Sequence, residues 1–526
     1  MSNDMKRNDF DDDERAYRQA AETRRQRRLK KRRHERNMRI LFITILVVII
    51  AAAAAAAVFL TRGHSGSRGG STQDAPVHET APAEDSVQII TEAPAQTEPA
   101  TEAPEPVTEV QTESQSDVLA QAETMALGYN YEGAIALLQS VPGYESDSSI
   151  TQAIAQYQAD LDSCVPVDPL TVPHIFYHSL INDPDSAFNV SVLGQSAVDG
   201  MNAWMTTVEE FDKITQQMYD NGYVFVRLRD LVVETTDENG NVHFEPNNNL
   251  LLPPDKKAVV LSVDDLSYYH SYEAASYPDK LVLDENGKVK CHYVKPDGTE
   301  EIGDFDVVPR LNTFLEEHPD GAYKGARGMI ALTGYNGVFG YRTDTDYRDK
   351  LNLMSDQAQW LEEHPEFSWE EDVEQAKIIA QALKDEGWEF ASHTWGHLSV
   401  TNKTADELRI DNEKWVNTVE NIVGPVDTII FAHGNDIGDW TGYSADNEKY
   451  QYFKSAGYNF YCNVDSSTPY WVQITGDYVR QGRIDLDGYQ LYQASQGLTT
   501  VLDGMFTASE VFDTRRPTPV VANGEA

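Results

Sequence analysis

The 526-residue chain is poor in cysteine and in positive charge, and it has one long apolar run. Its three cysteines, Cys164, Cys291 and Cys462, are odd in number and show no Cys-x-x-Cys spacing. That excludes a disulfide framework and a cysteine-ligated zinc site. Isolated thiols are expected, with a single disulfide as the alternative. Lys and Arg number 42 against 85 Asp and Glu, a formal net charge of -43, which excludes nucleic acid as the main partner. The few basic residues are unevenly spread: Arg24, Arg25, Arg27, Arg28, Lys30, Lys31, Arg32, Arg33 and Arg36 cluster near the start.

The apolar run covers residues 40–60 without a charge, close to the ~20 residues that span a bilayer core. We bound the expected transmembrane helix at 39–61, after a basic tail at 1–38. Basic residues before the run and few after it place the N-terminus in the cytoplasm and the remainder outside. A cleaved signal peptide is the rival, against which stand the long basic region and the length of the run. Residues 62–116 are rich in Pro, Thr, Ala and Glu, and Thr91-Glu92-Ala93-Pro94 recurs at Thr101-Glu102-Ala103-Pro104. Such a segment buries too little apolar surface to order itself and reads as a disordered spacer.

Residues 117–164 switch to helical spacing, with Leu119, Ala122, Met125 and Ala126 on one stripe and Ala134, Leu137 and Leu138 on another. The stretch 126–134 resembles part of a tetratricopeptide repeat; one such unit cannot bury its own face, so a small hairpin docked on the next domain is expected. The main domain is expected over 165–515, with 516–526 as a tail. In it, apolar runs end in polar groups: 172–178 at His178, 258–263 at Asp264-Asp265, 388–392 at His393, 428–432 at His433, and 458–464 at Asp465. Residues 223–226 and 328–332 read as further strands, and 478–484, carrying Arg480 and Arg483, as a weaker one. Thr207 with Glu210 forms a capping box before Phe211, Ile214 and Met218. Alternation around Asn286-Gly287 predicts a β lobe inserted at about 268–305. Strands alternating with helices and ending in polar groups argue for a β/α barrel with one functional face.

Asp264 and Asp265 repel at close range, and a metal ion removes that cost and gives each carboxylate its own task. The plain alternative is an Asp capping the next helix. His393 and His397 are spaced to meet one ion, with a carboxylate from another strand as third ligand. Imidazole suits zinc, iron, nickel or cobalt. The second carboxylate is then free to act as a base.

These motifs resemble the polysaccharide deacetylases, the NodB-homology or carbohydrate esterase family four enzymes. Ser262-Val263-Asp264-Asp265 resembles the first catalytic motif and His393-Thr394-Trp395-Gly396-His397 the second. Ile175-Phe176-Tyr177-His178-Ser179 resembles the opening pattern. The resemblance implies a distorted (β/α)7 barrel, α/β in class, with Asp264 as general base and Asp265, His393 and His397 as ligands of one divalent ion, zinc first. It also implies hydrolysis of an acetyl amide or ester on a glycan, with Tyr177, His178, Trp395, Asp465 and Trp471 as substrate-binding candidates. Two departures stand out. The third motif, at 430–436, lacks its Arg and Pro, and no His follows His433 to supply the family's general acid. His433 is the expected replacement, or else it only lines the cleft. The reading that emerges is a membrane-anchored deacetylase facing the cell wall. Its alternative is a glycan-binding relative that kept the barrel and lost catalysis.

Overall fold

The structure is a computed structural model describing residues 115–438 and 440–522. The expected tail, the span at 39–61 and the linker up to residue 114 lie outside the described residues. Among the described residues no helix is long and apolar enough to cross a membrane. All three cysteines are free thiols.

Eight parallel strands form the centre: β1 (His174–Tyr177), β2 (Tyr223–Phe225), β3 (Lys257–Asp264), β4 (Met329–Leu332), β5 (Glu389–Ser392), β6 (Thr428–Ile430), β7 (Phe460–Val464) and β8 (Val479–Asp485). Seven of them close a ring, running β3, β4, β5, β6, β7, β8, β1 and back to β3. This is the distorted seven-stranded α/β barrel expected. The distortion lies at β3, whose first half pairs with β2 (Tyr223 opposite Lys257) and whose second half pairs with β4 (Met329 opposite Ser262). β3 forms because its run of Val, Leu and Ala is buried on both faces, as a strand between helices and a barrel interior must be.

Alternation along the strands sorts the two faces. Ile175, Tyr177, Val259, Leu261, Val263, Ile330 and Leu332 point outward into one core with the surrounding helices. Val260, Met329, Ala331, Ala391, Ile430, Cys462 and Val479 point inward. Towards the C-terminal mouth the buried residues turn polar, with His174, Ser262, Asp264, Gln481 and Arg483 all below a few percent exposure.

Helices α1 (Gln115–Leu127), α2 (Tyr131–Gln139) and α3 (Ser148–Ser163) form the N-terminal unit. Their buried side chains, among them Ala122, Ala134, Leu138 and Ile150, share a core with Val224, Tyr323 and Met329. Lys324 N donates to Gly128 O at 2.7 Å, tying the unit to the barrel. Helix α4 (Val208–Asp220) starts at the capping box: Thr207 Oγ1 accepts from Glu210 N, and the Glu210 side chain accepts from Thr207 N. It buries Phe211, Ile214 and Met218. It stops at Gly222 (φ 81°), where a Cβ would lie 2.6 Å from Asp255 O. Strands Lys280–Leu283, Val289–Val294 and Glu300–Gly303 make a separate antiparallel sheet, inserted before α5 (Val307–Glu317). Helices α6 (Trp369–Asp385) and α7 (Ala405–Thr418) lead into and follow β5. The fold continues past the expected boundary at 515: Arg516 is 3% exposed and pairs with the fully buried Glu210 at 2.6 Å, a correction to a tail beginning there.

Candidate metal centre

Because the barrel strands are parallel, the polar groups that follow them gather at one mouth. β3 delivers Asp264 and Asp265, β5 delivers the loop from His393 to His397, and β6 leads to His433. One ligand atom from each of Asp265, His393 and His397 lies within 4.8 Å of the others. His397 Nε2 is 3.5 Å from Asp265 Oδ2. His393 Nδ1 sits 2.8 Å from Ile430 O and donates to it, which fixes the tautomer and leaves Nε2 with its lone pair. Two imidazoles and one carboxylate converging from two strands suit a divalent ion with a coordination position to spare. Tyr269 Oη holds Asp265 Oδ1 at 2.7 Å and is itself 2.7 Å from Thr333 Oγ1.

Asp264 is bound differently. Arg483 Nη1 and Nη2 donate to its two oxygens at 2.8 and 2.9 Å. The guanidinium lies 3.9 Å from the centre of the Phe176 ring and also donates to Ser262 Oγ. Arg483 is 1% exposed, so this planar two-bond pair is shielded from water and strong. Burial pushes the Asp264 carboxyl up, but Arg483 and then His393 pull it down further, to about 2. Asp265 is likewise lowered: burial opposes, and His397 and His393 prevail. Burial lowers His393, against the pull of both carboxylates. At neutral pH the carboxylates are therefore charged and His393 is neutral, the states a metal ligand set requires. This guanidinium reaches the mouth from the last barrel strand, β8. A charged residue inside a run that reads as a buried strand was the signal for it.

The histidine loop is held open in an unusual shape. Asp265, Thr394, His397 and His433 all have positive φ, between 51° and 63°. For a β-branched Thr this is an outlier, the kind of strain that collects at functional sites. Asp411 of α7 restrains the loop, its Oδ2 accepting from Trp395 N at 2.7 Å and Oδ1 from Gly396 N at 2.8 Å. A Cβ on Gly396 would meet Asp411 Oδ1 at 3.1 Å. Sequence reasoning missed Asp411 altogether.

The remaining candidates divide. The His433 ring is 4.3 Å from that of His397, and its Nε2 is 3.1 Å from His397 O. Burial and the neighbouring His397 lower its pKa. His178 lies near enough to help lower both carboxylates, and its Nδ1 is buried without a hydrogen-bond partner. Trp395 Nε1 donates to Asp344 Oδ2 at 2.7 Å while Lys414 lies 3.8 Å over the ring, so its role is to brace the loop. Asp465 is spent on its own turn, accepting from Ser467 N and Oγ. Trp471 lies under Arg480, 4.9 Å from its guanidinium. Tyr177 is not brought to the mouth: it is 2% exposed and packs edge-on against Phe211 in the outer core.

No family model matches the chain, and no curated protein matches it. Among solved structures it is similar to the Streptococcus pyogenes deacetylase PplD in complex with acetate. The identity is 14%, over 62% of this chain and 98% of that one, with a TM-score of 0.29. A likeness of that size bears no weight on function, which rests on the geometry of the mouth.

Proposed function

We propose that the chain is a metal-dependent hydrolase removing acetyl groups from a cell-envelope or extracellular polysaccharide. What carries this reading is the convergence of Asp265, His393 and His397 beside a second carboxylate, Asp264, kept ionised by Arg483. Asp265, His393 and His397 would hold one divalent ion, zinc first, with cobalt, nickel or iron as alternatives. Bound there, the ion supplies Lewis acidity toward an acetyl carbonyl and a nearby water. Asp264 takes the proton of the attacking water at a carboxylate oxygen. Arg483 aims that carboxylate and keeps it charged.

The leaving amine or alcohol needs a proton in return. His433, whose ring lies 4.3 Å from that of His397 at the mouth, is the group we assign to give it, its Nε2 held by the His397 carbonyl. We place the domain outside the cell, anchored by the apolar run at 39–61.

The test is acetate release from acetylated chito-oligosaccharides, peptidoglycan and acetyl-xylan, with and without added zinc or cobalt, alongside Asp264→Asn and His393→Ala. Metal-dependent release lost in both variants supports the reading. Stoichiometric metal with no release from any of these substrates would favour a glycan-binding protein that kept the barrel.

A further inference from the structure

Beside the mouth lies a second cavity, of about 700 Å3, that the metal centre does not use. It is built by the inserted three-stranded sheet, the short helix Ser355–Glu363 and the segment carrying Asn189 and Val192. Its volume falls in the ~300–1,000 Å3 range that small-molecule ligands occupy. Its wall mixes aromatic faces with polar groups of both kinds. Tyr277, Tyr341 and Trp360 supply rings, and Trp360 is fixed by stacking on His364 at 4.2 Å. The Tyr277 hydroxyl is buried without a hydrogen-bond partner although the residue is 3% exposed. Lys280 enters the wall with no hydrogen bond or ion pair among the described residues, though its field reaches Asp372.

The cavity is linked to the metal centre by aromatic side chains. Tyr269, which holds Asp265, meets Tyr272 at 5.5 Å, and Tyr272 meets Tyr277 in the cavity wall at 5.0 Å. Rings set beside donors and acceptors suit a saccharide, whose C–H faces pack on aromatics and whose hydroxyls both give and take hydrogen bonds. A phosphate or other anion fits worse: of the three cations in the wall, Lys295 pairs with Glu301 and Arg342 donates to the Ser267, Tyr268 and Asn336 carbonyls, which leaves Lys280 against Asp279 and Asp372.

We propose that this cavity is a saccharide subsite, receiving a sugar unit of the same glycan remote from the one whose acetyl group is removed. The proposal rests on the deacetylase reading for its second half and on the cavity alone for its first. Two variants of the full-length protein test it. Val192→Trp fills the cavity from a residue that is 67% exposed, so the core is undisturbed. Lys280→Gln removes the unpaired ammonium.

The probes are an acetylated chito-hexasaccharide and the corresponding disaccharide. The wild type is expected to favour the hexasaccharide in kcat/KM by about tenfold or more. Both variants should lose that preference through a raised KM on the longer probe, with disaccharide turnover unchanged. A wild type without preference, or variants that retain it, would overturn the subsite. If neither probe releases acetate, the deacetylase reading fails for these glycans and calorimetric binding decides the subsite alone. Hexasaccharide binding weakened about tenfold in both variants supports it; equal binding, or none, overturns it.

Discussion

Replacing Arg483 by methionine leaves Asp264 buried with only His393 and His178 to offset desolvation, so its pKa climbs. A carboxyl held at about 2 stays ionised through neutral pH, so the wild type should show no acid limb from this group above the ordinary carboxylate range. Arg483→Met should lose roughly 100-fold or more in kcat, and its remaining activity should fall off at a higher pH than the wild type's; Arg483→Lys, which gives up the two-bond geometry, should recover only part. A pH–rate profile on acetylated substrate reads both effects. Tyr269→Phe removes the hydroxyl that orients Asp265, and metal affinity should drop about 10–100-fold in competition with a chelator. At this scale the sequence showed the Asp pair and the His pair, because each sits where an apolar run stops. It could not show Tyr269 to Thr333 or Arg483 to Asp264, since contacts between distant strands leave no local pattern. Tyr177 was misread for a definite reason. In β1 the inward positions are His174 and Phe176, and the next is His178; Tyr177 has the opposite parity and faces the helices.

Among the elements, the clamp of α7 on the histidine loop is the most exposed to test. Asp411→Ala removes both acceptors for the Trp395 and Gly396 amides, and the loop should relax from its positive-φ shape. Metal affinity is expected to fall by at least the ~10-fold of an outer-shell loss, with Asp411→Asn intermediate. Isothermal titration with zinc would show it. Most barrel strands were legible to within two residues, because runs of Val, Ile, Leu and Ala bounded by Gly, Pro or Asn have few other solutions. The hairpin Val232–Thr236 and Val242–Pro246 was not, since its strands are mostly exposed and only Val242 and Phe244 alternate, too short a pattern to stand out. β6 was read too long: the chain leaves the sheet after Ile430 and turns through His433, whose φ of 58° no periodicity announces.

For the whole molecule, the C-terminal segment acts as a fastening. Arg516 pairs with Glu210 and also donates to Asn202 O and Met205 O. Arg516→Leu leaves Glu210 buried and uncompensated, and should cost about 3–5 kcal/mol, visible as a lower Tm. A pH effect on stability should come from Asp306. Burial raises this carboxyl from 3.8 to about 6, against the three donors Leu180 N, Val307 N and Tyr268 Oη. A raised carboxyl stabilises the fold below its unfolded value and loses that contribution as pH rises through its folded value. Denaturant titrations should therefore show roughly 3 kcal/mol lost between pH ~4 and ~6, a slope that Asp306→Asn flattens.

The pairing of Asp264 with Arg483 also bears on how the chain reaches its native state. The guanidinium lies 219 residues beyond the carboxylate it neutralises. It arrives on β8, the strand that joins β7 to β1 and shuts the ring. Until β8 docks, a chain emerging from synthesis holds a buried carboxylate without its guanidinium, and either the strands stay apart or the carboxyl takes up a proton. Partial barrels are thereby disfavoured, and the late, long-range contact makes folding slow and cooperative. The group placed to accept a proton in the finished protein would then serve earlier as the latch that keeps an incomplete barrel from closing.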